Sequence, residues 1–226
     1  MHMRVYKTTT VNAGGVPVEV RQVLFFGSST VPEQVAAVVV AAREWLNRAI
    51  HQLISNISPL TRDCFRFCFL TDLTPQLTNE LHWKLTAIQE GLSNPLGIKV
   101  RDLGPDVGGH VRVDESFPVF EDGEVRYPYK NPVGEIHLDR KLLLHPNKAT
   151  WTLIHEAGHK FAKLEDIAYA DGYYDFVVVQ RRQFDPHTLY AGNAMRNADC
   201  YAMFVCLLAH PEIARAVLPK GGQRAA

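Results

Sequence analysis

The chain has 226 residues, of which 46% are hydrophobic and 21% are charged, and these proportions are typical of a folded globular protein. Basic and acidic residues number 24 each, so the formal net charge is zero. Composition therefore excludes a disordered chain, and no general electrostatic attraction to nucleic acid or to an anionic membrane is expected. Any recognition must depend on a local site.

The residues of the N-terminal segment do not indicate Sec-type export. Residues 1–20 are polar and lack the apolar core of a signal peptide. No apolar run approaches the ~18 residues that a membrane-spanning helix needs. We therefore expect a soluble monomer in the cytoplasm, or one secreted by a route without a cleaved signal peptide. Residues 1–17 are expected to form a tail, and residues 18–220 a single domain.

The first predicted elements are a strand and a long helix. Residues 18–26 are rich in β-branched and aromatic side chains, which predicts a strand. Thr30 and Glu33 have the spacing of a capping box, so a helix is expected to begin there. Apolar residues then recur with helical period as far as Ile57, which indicates one buried face.

The next segments predict a strand, a second helix and another strand. Phenylalanine alternates with arginine and cysteine at residues 65–69, and this alternation predicts a half-buried strand. Thr74 and Pro75 have the residue types of a helix start, and the helix is expected to end before Pro95. Residues 98–103 predict a short strand.

The middle of the chain, residues 104–133, is rich in Gly, Pro and Asp and predicts loop-rich β structure, with a hairpin turn at residues 122–123. Residues 134–139 predict a strand, and residues 147–162 a helix. The four cysteines are not spaced as a zinc knuckle and are expected to be buried thiols. Helices with a small twisted sheet define an α+β fold.

One motif on the last of these helices points to metal chemistry. His155 and His159 are four residues apart, so on a helix they lie on one face about 5–6 Å apart at Cβ and can bind one zinc ion. Glu156 projects beside such a metal, where its carboxylate can take a proton from water that the zinc has made acidic. The spacing predicts the centre of a zinc-dependent peptidase.

A third protein ligand is expected, because catalytic zinc generally has three protein ligands and one open position. Gly158 lies inside the same helix, where glycine costs roughly 1 kcal/mol relative to alanine, and its presence indicates close packing. The acidic candidates for the third ligand are Glu165, Asp166, Asp171, Asp175 and Asp199.

Three motifs together resemble a known family. They are Thr152-Leu153-Ile154-His155-Glu156 through His159-Lys160-Phe161, then Asp166-Ile167-Ala168-Tyr169, then Asn197-Ala198-Asp199-Cys200-Tyr201 with Phe204. In this combination residues 134–208 resemble the aspzincins, the metallopeptidase group of deuterolysin and peptidyl-Lys metalloendopeptidase. The resemblance implies an α+β, zincin-like fold and a zinc-dependent endopeptidase.

The resemblance also implies the metal ligands. His155, His159 and Asp166 correspond to the zinc ligands of that family, and Glu156 to its general base. The family has Gly-Thr before the ligand aspartate, whereas this chain has residues 163–165, Lys-Leu-Glu, and a shorter interval from the second histidine.

Two further roles are implied outside the metal centre. Tyr169 corresponds to a hydroxyl donor for the tetrahedral intermediate, and Asp199 to a substrate-binding residue in the pocket. Ala202 stands where the lysine-specific members have an acidic residue, so the resemblance leaves the cleavage preference open. Residues 176–190 look like an insertion that forms a loop, a lid or a partner surface.

Other interpretations remain open at this stage. Asp199 could itself be the third ligand, since the segment around it is also similar to the helix of bacterial anti-repressor proteases. The chain could instead be a catalytically silent binding or immunity module on a zincin scaffold. If the chain is a peptidase, a role as a bacterial effector is one option. We then expect a peptide or protein substrate and allow for a cognate inhibitor or immunity protein. The peptide would lie along the edge of the strand at residues 134–139.

Overall fold

The computed structural model describes residues 6–23, 30–55, 57–104, 108–115, 119–121, 124–126, 130–167 and 191–218. The strands are β1 (Tyr6–Ala13), β2 (Val16–Val23), β3 (Leu96–Arg101), β4 (Gly109–Glu115), β5 (Val119–Glu121), β6 (Glu124–Arg126) and β7 (Lys130–Asp139). The helices are α1 (Val31–Ile54), α2 (Pro59–Phe69), α3 (Pro75–Ser93), α4 (Pro146–Ala162), α5 (Ala191–Ala194), α6 (Ala198–Ala209) and α7 (Pro211–Val217). A short 3-10 helix, Arg140–Leu144, precedes α4.

The main sheet has five strands in the order β1-β2-β3-β7-β4. The three inner strands, β2, β3 and β7, are parallel, and β1 and β4 are antiparallel additions at the two edges. The strand expected at residues 134–139 is therefore not an edge strand, because β3 and β4 pair with it on both sides. Among the described strands β4 is the edge nearest to α4, so the expectation that a peptide pairs with an edge at residues 134–139 is wrong.

Helices cover one face of this sheet. The side chains that point toward them are apolar and buried: Val18, Val20, Ile98, Val100, Ile136 and Leu138. Helix α4 packs on β7 and contacts α1, α3 and α6, so it lies at the centre of the helical layer. This position explains why both its apolar and its polar side chains are buried from residue 149 to residue 158.

The strand expected at residues 65–69 is wrong, because these residues form the end of α2. Ser58 caps this helix by accepting a hydrogen bond from the backbone N–H of Thr61 at 3.1 Å, and Pro59 occupies its first turn. Buried Thr61, Cys64 and Cys68 follow a helical period. The phenylalanines alternate by coincidence, since the helix is buried over more than one face.

Two predicted helix starts have different outcomes. The start of α3 is confirmed, because the Thr74 side chain accepts a hydrogen bond from the backbone N–H of Leu77 at 3.2 Å. The helix α1 also lies where it was predicted, but the capping box is wrong. Thr30 has an αR backbone conformation, and its side chain makes no capping hydrogen bond. Pro32 in the first turn supports this helix start instead.

The polar N-terminal segment contributes to the sheet, which corrects the expected tail. Tyr6–Ala13 forms the edge strand β1, and Gly14 and Gly15 make the turn into β2 with φ of +58° and +89°. The backbone N–H of Gly15 donates to Oδ1 of Asn12 at 2.6 Å. Composition missed this strand because an exposed edge strand need bury little apolar surface.

The strand expected at residues 98–103 and the helix expected at residues 147–162 are found as β3 and α4. Strands β5 and β6 pair antiparallel, as the predicted hairpin requires, while its turn at residues 122–123 lies outside the described residues. The four cysteines are buried and free. Among the described residues no single helix is long and apolar enough to cross a membrane, and α6 and α7 reach that length only together, at an angle of 114° to each other.

A glycine in α3 sets its distance from α4. A Cβ added to Gly91 would lie 2.3 Å from two ring carbons of Phe161. Glycine to alanine inside a helix normally stabilises a protein by roughly 1 kcal/mol. Here we predict that Gly91→Ala lowers the free energy of unfolding by about 1–3 kcal/mol, because the Phe161 ring must leave its position. Urea denaturation of both proteins measures this change in the free energy of unfolding.

The control for this substitution removes the ring. In a Phe161→Leu background, Gly91→Ala should cost less than in the parent, because the shorter side chain leaves room for the methyl group. An equal cost in both backgrounds would show that the contact between α3 and α4 does not depend on Gly91.

Candidate metal centre

Three side chains from α4 and the segment after it converge on one point. Nε2 of His155 and Nε2 of His159 lie 2.9 Å apart, and each lies 3.1 Å from Oδ1 of Asp166. Among the described residues this is the group of His, Cys, Asp and Glu side chains that could hold a metal ion. The structure thus brings together the three residues for which the sequence predicts metal binding.

A sharp chain reversal returns Asp166 to the two histidines. Helix α4 ends at Ala162, and the next residue, Lys163, has a left-handed conformation with φ of 54°. The backbone N–H of Leu164 then donates to the carbonyl of Gly158 at 3.2 Å, a bond that closes the last turn of a helix. A Cβ added to Gly158 would lie 3.0 Å from Cδ1 of Leu164, so the close packing predicted at this glycine is explained by the returning chain.

Hydrogen bonds on both sides of Asp166 hold it in place. On one side, the backbone N–H of Glu165 donates to the carbonyl of Arg196 at 2.7 Å, and its carbonyl accepts from the N–H of Ala198 at 2.9 Å. On the other side, the N–H of Ile167 donates to Oδ1 of Asn197 at 3.1 Å. Asp166, the carboxylate of the cluster, is therefore fixed by the start of α6, even though it lies only seven residues from His159.

The second nitrogen of each imidazole has its own partner. Nδ1 of His155 lies 2.7 Å from Oδ1 of Asp199, and Nδ1 of His159 lies 2.7 Å from the carbonyl of Leu164. An acceptor at Nδ1 holds a proton on that nitrogen, so Nε2 is the nitrogen that each ring can offer to a metal ion. Nε1 of Trp151 also donates to Oδ1 of Asp199, at 3.4 Å.

The position of Asp199 separates two of the sequence interpretations. Its carboxylate contacts Nδ1 of His155, on the opposite side of the imidazole ring from the Nε2 atoms. It therefore lies outside the donor cluster, and the interpretation of Asp199 as third ligand does not fit the structure. Asp199 is buried, with 4% of its surface exposed, and it orients His155. A role for Asp199 in substrate binding stays a prediction.

Glu156 lies beside the cluster and beneath the edge strand. It is 4% exposed, and a Cβ added to Gly109 of β4 would lie 2.8 Å from its Cγ and 2.9 Å from its Oε1. Burial raises the pKa of Glu156 to about 7, although the two neighbouring histidines oppose this rise. A carboxylate with a raised pKa is a better proton acceptor than an ordinary glutamate.

Charge within the cluster is balanced between imidazole and carboxylate. Burial lowers the pKa of His155, but hydrogen bonds to Asp166 and Asp199 outweigh it and raise that pKa to about 10. Burial likewise opposes the charge of Asp166, but the hydrogen bonds of both histidines hold its pKa well below the usual value. The cluster therefore favours positive charge between the two Nε2 atoms and Asp166, and a cation there meets the same preference.

The donor set fits zinc. Two imidazole nitrogens and one carboxylate oxygen, all facing one point, are a ligand set found in catalytic zinc sites, where a fourth position stays open. The outer contacts of both imidazoles are of the kind that accompany metal-binding histidines. The chemistry of the residues therefore agrees with the metal that the sequence predicts.

Among the described residues, the candidate Glu165 does not enter the cluster. The Glu165 side chain pairs with Arg196. Tyr169, Asp171, Asp175 and the insertion at 176–190 lie outside the described residues, so the predicted role of Tyr169 stays untested.

The sequence did not reveal three residues that shape the centre. Gly109 makes room for Glu156, Trp151 contacts Asp199, and the carbonyl of Leu164 orients His159. The first has a weak signal, since Gly108 and Gly109 are adjacent glycines before a strand, where a close backbone approach is common. The other two contacts depend on the tertiary fold and carry no local sequence signal.

Side-by-side variants of the two aspartates test the ligand set. Asp166→Ala should abolish tight zinc binding, because two imidazoles alone hold the ion poorly. Asp199→Ala should still bind one zinc per chain at saturation, with affinity reduced by about 10–100-fold, because His155 loses only its orienting partner. Competition with a chelator of known affinity measures both. Loss of binding in Asp199→Ala with retention in Asp166→Ala would contradict this ligand set.

The comparisons with known proteins include a relative of known structure. No family model matches the chain, and no curated protein matches it by sequence. A solved structure, a zinc peptidase from Grifola frondosa, has a TM-score of 0.55 and 16% sequence identity, over 80% of this chain and 96% of that one. At this identity the likeness shows the fold. The chain thus has the mixed helix and sheet architecture of a zinc peptidase, with a His-His-Asp cluster at its centre that could bind a metal ion.

Proposed function

We propose that this protein is a zinc-dependent endopeptidase of the aspzincin type. The observation that carries the proposal is the convergence of His155, His159 and Asp166, with Glu156 buried beside them. The likeness to the fold of a zinc peptidase supports it, because the cluster lies on a helix at the centre of such a fold. The zinc ligands would be the two histidines and Asp166.

The residues around the site prepare it for peptide hydrolysis. Zinc, when bound, supplies Lewis-acid chemistry that polarises a peptide carbonyl and makes a water molecule more acidic. Glu156 accepts a proton from the attacking water and can return it to the departing amine. Burial favours this cycle, since a carboxyl group with a pKa of about 7 exchanges protons readily near neutral pH.

The edge strand β4 offers a place for the peptide. It pairs with β7 along one side only, among the described strands, and Gly109 at its start lies against Glu156. An extended peptide that adds to this edge by backbone hydrogen bonds would pass beside the metal cluster. A peptide or protein substrate is therefore the partner we propose.

Two earlier alternatives are less well supported. An anti-repressor type of protease with Asp199 as ligand requires this carboxylate on the Nε2 side of His155, whereas it lies on the Nδ1 side. A silent binding module gives no reason for a buried Glu156 beside a complete donor cluster, because burying a carboxyl group without a role costs free energy.

Glu156→Gln tests the role of the base. We predict that this variant keeps its zinc and its fold but hydrolyses a protein substrate such as casein at least ~100-fold more slowly, because an amide cannot accept the proton. Glu44→Gln, the same change at an exposed position on α1, serves as the control and should retain parental activity. Parental activity in Glu156→Gln would show that Glu156 is not the base.

Gly109→Ala tests the space that Glu156 occupies. The new methyl group would meet Glu156 and also lie 2.9 Å from Cγ2 of Thr152, so the carboxylate must move. Hydrolysis should fall by at least about tenfold while zinc stoichiometry stays at one, because small misplacements of reacting groups are costly. Gly108→Ala, whose added Cβ would lie 3.3 Å from its nearest neighbour, Leu142, should lose much less. Equal rates for both variants would contradict the placement.

A further inference from the structure

A row of basic and imidazole side chains crosses the face of the sheet that is turned away from the helices. Lys99 on β3 pairs with His137 on β7, which pairs with His110 on β4. Gly109 faces Glu156 on the helical side, so the next residue, His110, points to the opposite side. All three side chains of this outer-face row are partly exposed.

Arg101, on β3, extends the row, because its guanidinium group reaches His110 on β4. Its Nη2 lies 3.0 Å from Nε2 of His110, and the rings of His110 and His137 are 4.2 Å apart between centroids. Nε of Arg101 and Nδ1 of His137 are buried atoms with no hydrogen-bond partner in the described part of the chain. The cluster therefore holds polar atoms whose hydrogen-bonding capacity is not used.

The row also has an excess of positive charge. Among the described residues, neither Lys99 nor Arg101 has a carboxylate within ion-pair distance. The nearby carboxylates are already engaged. Asp139 accepts from two backbone N–H groups, those of Leu103 at 2.8 Å and Lys141 at 2.7 Å, and Glu135 pairs with Arg21 at 3.3 Å.

The histidine pKa values agree with this excess. Burial and then the neighbouring cations lower the pKa of His110, and burial, His110 and the same cations lower the pKa of His137 to about 4. Both imidazoles are therefore neutral near neutral pH. An anion at the end of the row would relieve the repulsion that these cations impose.

A peptide that pairs with the edge strand β4 could place an anionic side chain at the end of the row. In a sheet, side chains directly opposite each other on neighbouring strands lie about 4.5–5.5 Å apart at Cβ and interact. A peptide added to β4 would continue the series Lys99, His137, His110 with one of its own side chains. That side chain would lie beside the pair of His110 and Arg101, which are in contact.

We propose that the outer-face row selects peptide substrates that carry Asp or Glu at the position opposite His110. The inference rests on the proposed function, since it assumes that the peptide pairs with β4. The inference predicts that the preference for an acidic residue alternates along the peptide, because successive side chains of an extended peptide point to opposite faces. An acidic residue should therefore help at that position and not at its two immediate neighbours.

Matched peptides test the inference by binding. Zinc-loaded Glu156→Gln protein is titrated with fluorescent peptides, blocked at both ends, that carry Asp or Asn at each position in turn. The Asp peptide should bind about three- to tenfold more tightly than the Asn peptide at one position, and the ratio should shrink in high salt. Parent protein is assayed with the same peptides for cleavage.

Variants of residues in the row identify the side chains that cause the preference for Asp over Asn. In the Glu156→Gln protein, an added Arg101→Gln should reduce the Asp-to-Asn ratio toward one, whereas Arg101→Lys should keep part of it. Lys99→Gln should reduce the ratio less than Arg101→Gln, because the Lys99 ammonium lies 4.3 Å from the centre of the Tyr6 ring on the far edge strand, β1. Arg21→Gln is the matched control, because Arg21 lies on the same face but pairs with Glu135, and it should keep the full ratio. Thermal denaturation of each variant checks that it is folded.

The possible results separate the two proposals. If the parent cleaves peptides and the Asp-to-Asn ratio is one at every position, the inference is wrong and the proposed function stands. A preference that Arg21→Gln removes as fully as Arg101→Gln also overturns the inference. If the parent cleaves no peptide, the proposed function fails, while the affinity ratios still decide whether the row selects acidic peptides.

Discussion

The buried hydrogen bond between His155 and Asp199 joins the two helices on which the centre depends. It spans 2.7 Å between α4 and α6, in a helix interface that is otherwise mostly apolar. A buried polar pair of this kind favours one relative position of two helices, because a slide breaks the hydrogen bond in a place where water cannot replace it. The same bond sets the imidazole so that Nε2 faces Asp166.

The position of Asp166 also depends on helix α6. The hydrogen bonds that hold it come from Arg196, Asn197 and Ala198, the residues at which α6 begins. Contacts of α6 with α4 and with the segment after α4 thus fix the first histidine and the Asp166 carboxylate together. The rest of the fold supports this unit: α4 is buried among α1, α3 and α6 on one side and the sheet on the other, so the centre lies on a rigid element.

Sequence reasoning succeeded where the signal is local. The spacing of His155 and His159 needs only a helix to bring them together, and the capping side chain of Thr74 acts within one turn. It failed where a local pattern has two explanations, as at residues 65–69, which alternate like a strand but lie in a helix buried over several faces. It also missed β1, whose exposed residues give no apolar alternation.

The other features that the sequence did not predict depend on long-range contacts. Nothing in the sequence near Asp199 indicates that its carboxylate meets a histidine 44 residues away, and the order of the sheet decides that β4 rather than β7 is the edge strand. The resemblance supplied Asp166 from a motif. The structure adds the physical reason, a left-handed Lys163 that turns the chain back toward the histidines.

The position of bound zinc tests the central claim most directly. In crystals grown with zinc, anomalous diffraction at the zinc absorption edge should show one strong peak about 2.0–2.2 Å from Nε2 of His155, Nε2 of His159 and a carboxylate oxygen of Asp166. A peak on the Nδ1 side of His155 next to Asp199, or no peak within bonding distance of the two histidines, would contradict the account.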